Sequence, residues 1–127
     1  MAIQRKVTRA MRVELKFLQA LASRQPKDDR ILKPLGDLFT ACGKYEEGLH
    51  VDQQLSGLCP RDPMVWYNLG CSFALLNRKE DACQALERAV TLGYSDADWM
   101  GQDEDLAGLK EDPAFLGLIK KAKGDEP

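Results

Sequence analysis

The side chains able to do chemistry are few and scattered. Four cysteines stand at Cys42, Cys59, Cys71 and Cys83, one histidine at His50, and a run of carboxylates at Asp103, Glu104 and Asp105. None of the cysteines forms a C-x-x-C pair, and His50 has no neighbouring Cys with which to build a zinc set. Placed in apolar helical rows, such thiols act as small hydrophobes. A lone histidine on a helix, without a nucleophile or an orienting acid in view, makes a poor general base. The three acids precede Leu106 and Leu109, where a helix N-terminus favours negative charge, so they need no catalytic explanation. Gly36, Gly43 and Gly70 lie singly inside helical patterns and form no phosphate-cradling loop. The basic residues lack the interleaved aromatics of a single-strand-binding surface. Catalysis, a cofactor, a metal and nucleic acid are therefore not expected.

The remaining candidates lie between apolar positions of two helices, in a row that could face a partner. They are Arg30, Lys33, Asp37 and Ala41 on one helix, and Met64, Tyr67, Asn68, Cys71 and Leu75 on another. Tyr67 offers a ring with a polar tip, Asn68 two donors and an acceptor, and Met64 an adaptable apolar contact. Such a row suits an extended peptide or a partner's helix.

The elements that carry this row repeat. At an offset of 34 residues Asp28, Asp62 and Asp96 coincide, as do Leu35 with Leu69, Gly36 with Gly70, Phe39 with Phe73, and Pro26 with Pro60. Self-similarity at this period marks stacked supersecondary units. Each unit reads as a helical hairpin. In the second, Asp62 caps and Pro63 opens a helix with Val65, Trp66, Leu69, Phe73 and Leu76 on one stripe. The segment 77–81 turns the chain, with Asn77 in the left-handed conformation, and a returning helix buries Ala82, Leu86 and Ala89. Gly70 and Ala82 are small where the two backbones approach. The first unit copies this plan with Leu32, Leu35, Phe39 and Cys42 inward, a stop at Gly43, and Tyr45, Leu49 and Leu55 on the return. Pro34 lies past the first turn and is expected to kink or delay its helix.

The pattern Trp66-x-x-Leu69-Gly70-x-x-Phe73 followed by Ala82 and Ala89 resembles the tetratricopeptide repeat. Leu32-x-x-Leu35-Gly36-x-x-Phe39, then Gly43, Tyr45 and Pro60, matches it again. The resemblance implies an all-α fold, a right-handed superhelix of hairpins whose first helices line a concave groove. It spans one domain: an N-terminal capping helix in 1–27, repeats at 28–61 and 62–95, and capping helices with a short tail in 96–127. The departures are Gly48 for the usual small alanine, Asp52 or Leu86 at the large position four residues on, and Tyr94 for the closing proline. The ending DEDLAGLKEDPAFLGLI is similar to that after the last repeat in many small bacterial proteins of this kind. The N-terminal cap is expected as one helix from about Ile3 to Ser23, with Val7, Met11, Leu15, Leu18 and Leu21 inward.

By this resemblance the function is a non-catalytic scaffold that binds a peptide or helix in the groove. Lys33 and Asn68 fall where some members grip a C-terminal carboxylate, but Asp37 stands where a second Asn is needed and repels an anion. Charge supports a second expectation. Residues 1–24 hold six cations against Glu14, and residues 96–127 hold nine acids against four lysines. Copies could thus associate end to end into a homo-oligomer, and a chaperone-like client binder is a further alternative. With no apolar leader and no run of membrane-spanning length, a cytoplasmic protein without membrane contact is expected.

Overall fold

In the computed structural model, which describes residues 6–124, the chain is all-α, with helix pairs packed in sequence as in tetratricopeptide hairpins. Helix α1 (Arg9–Arg24) is followed by the hairpin α2 (Asp29–Ala41) and α3 (Tyr45–Leu58). A second hairpin follows, α4 (Pro63–Leu75) and α5 (Lys79–Thr91). The short helix α6 (Ala97–Gln102), a 3-10 helix (Glu104–Leu109) and α7 (Pro113–Lys123) complete the described chain. Helices α2 and α4 begin 34 residues apart, and so do α3 and α5.

Local chemistry sets these boundaries. Asp28, Asp62 and Asp112 each accept a hydrogen bond from the backbone N–H two residues on, at 3.0, 2.9 and 2.9 Å. Pro63 and Pro113 then occupy a first-turn position, where no donor is needed. The turns end alike: Asn77 has φ 61°, the left-handed geometry anticipated there, and Gly43, expected as a stop, has φ 75°. The following amides of Lys44 and Arg78 close onto the carbonyls of Phe39 and Phe73 at 2.8 and 2.9 Å. Helix α1 starts at Arg9 because Thr8 Oγ1 accepts from Met11 N at 3.1 Å. The start expected near Ile3 is corrected: residues 6–8 are not helical, so Val7 lies outside the helix, and Ile3 itself is outside the described residues.

The expectation for Pro34 is also corrected. Pro34 does not delay its helix; α2 runs unbroken from Asp29 to Ala41 with Pro34 inside. The ladder bond it lacks would end on the carbonyl of Arg30, an exposed residue that water can reach. The segment after Asp96 holds a helix, α6, that the repeat pattern does not announce. Asp96 caps it by accepting from Trp99 N at 3.1 Å.

The core has two parts joined through α3 and α4. Leu15, Leu18, Leu32, Leu35, Phe39, Val51, Leu55 and Val65 form the first. The larger second part runs from Leu49 through Leu69, Phe73, Ala82 and Leu86 to Leu106, Phe115 and Leu118. Gly70 is where the second hairpin closes: a Cβ there would lie 2.7 Å from Leu86 Cγ and 3.3 Å from the carbonyl of Ala82. Gly36 does the same in the first hairpin, where the nearest atom is Asp52 Oδ1 at 2.9 Å. The Trp66 indole N–H donates to the Pro60 carbonyl at 2.9 Å, fixing the link between hairpins. Among the described residues no helix is long and apolar enough to cross a membrane.

Candidate functional site

Helices α2 and α4 both contribute to a cavity of about 500 Å³, and the acidic turn between α6 and α7 packs against α4 to close its far side. The walls include Asp37 and Thr40 of α2, Asp52 of α3, and Met64, Tyr67 and Asn68 of α4. Trp99 and the carboxylates 103–105 stand opposite.

Five of the nine residues anticipated in the row meet here: Asp37, Met64, Tyr67, Asn68 and Cys71. Arg30, Lys33, Ala41 and Leu75 do not. The Arg30 guanidinium turns back to its own helix cap, donating to Asp28 from Nε at 3.1 Å and Nη2 at 3.0 Å. The Lys33 ammonium bridges Asp62 at 3.1 Å and Asp29 at 3.6 Å, tying the start of α4 to α2. These contacts raise its pKa, the Asp62 hydrogen bond being the largest cause. A carboxylate arriving from a peptide would find this lysine already neutralised.

Tyr67 and Cys71 were expected to be free of packing, and this is corrected. Tyr67 is only 2% exposed. Its ring stacks on Tyr94 with centroids 4.3 Å apart, and its hydroxyl donates to Asp103 Oδ2 at 2.7 Å. The Cys71 thiol, also buried, points to the same oxygen at 3.7 Å. Burial foremost, with the negative surroundings, keeps both hydroxyl and thiol protonated far beyond their ordinary ranges. They anchor the acidic turn to α4 from beneath. Asp103 is doubly used, since its other oxygen caps the 3-10 helix through Asp105 N at 3.0 Å.

Possible ligand atoms of Cys71, Asp103 and Asp105 all lie within 4.8 Å of one another. A cation there would have to displace the Tyr67 and Cys71 hydrogens from Asp103, so the group is built as a hydrogen-bond node.

Asp52 is the residue sequence reasoning passed over. At the 34-residue offset it matches Leu86, which is fully buried, yet Asp52 is itself only 4% exposed. The Ser72 hydroxyl donates to its Oδ2 at 2.5 Å. Burial pushes its carboxyl up to about 6, against the lowering effect of Ser72, and the nearby charge of Asp37 adds to the rise. Asp37, at the mouth of the cavity, is likewise raised by partial removal from water. The signal was available in the departure from the repeat pattern: an acid where the hairpin demands a large apolar side chain.

The cavity is therefore acidic, with an apolar lip. Asp37, Asp52, Asp103, Glu104 and Asp105 contribute carboxylates, while among the described residues no Lys or Arg lines it. Met64 and Trp99 are 49% and 51% exposed beside them.

No family model matches the chain. Over 86 residues it is 33% identical to a chloroplastic protein of Arabidopsis thaliana, covering 65% of this chain and 26% of that protein. It is 31% identical over 77 residues to a peroxisomal targeting signal receptor of Kluyveromyces lactis, 61% of this chain and 14% of the receptor. The corresponding receptor of Saccharomyces cerevisiae is 33% identical over 76 residues, covering 60% and 12%. The chain thus spans about a quarter or less of the length of these relatives. The chain is a distant relative of these proteins and is itself a helical-repeat protein.

Proposed function

We propose that the chain is a tetratricopeptide-type interaction module, without catalysis of its own, that binds a basic peptide or helix in the concave cavity. The carrying observation is the chemistry of that cavity. Five carboxylates surround exposed Met64 and Trp99, and among the described residues no cation lines the space. A Lys or Arg side chain entering between Asp37 and the acidic turn would gain charge-assisted hydrogen bonds there. Its guanidinium or aliphatic stem could lie on the Trp99 ring, a contact worth about 0.5–2 kcal/mol. Asn68 would serve the peptide backbone as donor and acceptor. The name of the yeast relatives, receptors for a targeting signal, agrees with peptide recognition as the general task. Recognition of a C-terminal carboxylate is disfavoured by the same carboxylates and by the engagement of Lys33 with Asp62 and Asp29.

The test is fluorescence-anisotropy titration with a panel of labelled peptides, matched in length and hydrophobicity and differing in charge. Arg- and Lys-containing peptides should bind, acidic ones should not, and Trp99→Ala and Asn68→Ala should each weaken binding about tenfold or more. Equal binding of acidic and basic peptides, or affinity unchanged in both variants, would sink this reading.

A further inference from the structure

Helix α1 leaves an apolar strip uncovered. Leu15 and Leu18 are buried toward α2, while Val13 and Phe17, one turn apart on the opposite face, are each 61% exposed. Helical spacing puts exposed Ala20 on the same face and sets Arg9, Lys16 and Arg24 along and beside it. The described ion pairs lie on Arg30, Lys33 and Arg78, so the cations of α1 have no carboxylate partner among the described residues. The result is an apolar ridge on a helix about 24 Å long for 16 residues, with cations along one border and Glu14 on the other. A large exposed aromatic and a β-branched residue on one helical stripe mark a contact surface.

The other half of the match lies on the same chain. The concave cavity has the opposite sign, and its lip is also apolar, with Met64 and Trp99 half exposed. A convex ridge with cations outside an apolar centre is thus the complement of a concave site with carboxylates around an apolar lip. We propose that the outward face of α1 docks into the acidic cavity of a second copy of this chain. Phe17 and Val13 meet Met64 and Trp99, and Arg9, Lys16 and Arg24 approach the carboxylates around them. The two surfaces differ, so the contact is head-to-tail: it leaves a free ridge at one end and a free cavity at the other. This inference rests on the reading of the cavity as a binding face, and a basic peptide would compete with the ridge for it.

The experiment measures molar mass by light scattering on the full chain, across concentration and at low and high salt. Two variants separate the surfaces. Val13→Glu/Phe17→Glu alters only the ridge, and Met64→Glu/Trp99→Ala alters only the cavity; all four positions are exposed, and circular dichroism checks folding. Wild type should gain mass with concentration at low salt and lose it at high salt, as exposed ion pairs are screened. Each variant alone should remain monomeric, while their equimolar mixture should give a species of two chains that grows no further. A wild type that stays monomeric at millimolar concentration in low salt overturns the inference. So does a mixture that fails to pair, or a ridge variant that associates like wild type. Binding of the ridge to an acidic helix of some other protein, with the chain itself monomeric, also overturns it. Basic-peptide titration of the same variants keeps the two readings apart: the ridge variant should bind peptide normally and the cavity variant should not.

Discussion

Asp52 carries the clearest residue-level consequence. Its carboxyl is held up at about 6 in the folded chain, above the ordinary Asp value near 3.8, chiefly because it is buried. A raised acid pKa means that the folded state holds the proton more tightly than the unfolded one. Stability is then fullest below the unfolded value and declines as pH rises through the window from about 4 to 6, levelling above it. The decline amounts to at most about 3 kcal/mol for a shift of this size. Asp52→Asn keeps an oxygen for the Ser72 hydroxyl and removes the charge. It should raise the urea midpoint at pH 7 and leave it nearly unchanged at pH 4, flattening the profile. An equal effect at both values would mean that Asp52 does not titrate in this window. The site was only partly legible in the sequence. Helical spacing brought Asp37, Met64 and Asn68 to one wall, but it treats each helix as having one packing neighbour. Tyr67 and Cys71 acquire a second one, the acidic turn more than thirty residues later, and no local period encodes that contact.

At the scale of elements, the hairpins were legible because their demands are local. Asp caps, Pro in a first turn, Gly43 and Asn77 in left-handed geometry, and paired apolar stripes all point to the same helices. The short helix α6 was not, since ADWMGQ is too brief for a periodic stripe and depends on the cap at Asp96 and on burial of Met100. The tight packing in the second hairpin offers a quantitative check. A methyl group at position 70 would sit 2.7 Å from Leu86 Cγ, so one of the two must move. Gly70→Ala should therefore destabilise by about 1–3 kcal/mol despite alanine's better helix propensity. Leu86→Ala, which empties a fully buried position, should cost about 2–5 kcal/mol. The double variant should be more stable than the sum implies, because the new methyl occupies part of the space that Leu86 vacates. Urea unfolding of the four chains closes this cycle. Strict additivity would show that the helices separate instead of packing against the added group.

For the whole molecule, the charge asymmetry along the chain acquires a spatial meaning. Cations concentrate on the helix that begins the described array, while carboxylates gather in the concavity where the later chain folds back against α4. With a formal charge of −2, the molecule is near neutral overall, so its binding behaviour follows from this separation and not from net charge. The cavity has one further property. Asp37 and Asp52 are both raised by burial, and each carboxylate resists a second charge nearby, so part of the negative field is missing at mildly acidic pH. Entry of a basic side chain favours the ionised forms, and binding must therefore release protons. Affinity for an Arg-containing peptide should rise as pH increases from 5 to 7.5, by roughly tenfold if Asp52 alone titrates, and then level off. Isothermal titration calorimetry in buffers of different ionisation enthalpy would count the protons directly. Asp52→Asn should remove most of the pH dependence while sparing the salt dependence, because exposed Glu104 on the acidic turn still supplies the screened attraction. If affinity instead falls as pH rises over this range, the carboxylates of the cavity are not what the basic side chain meets.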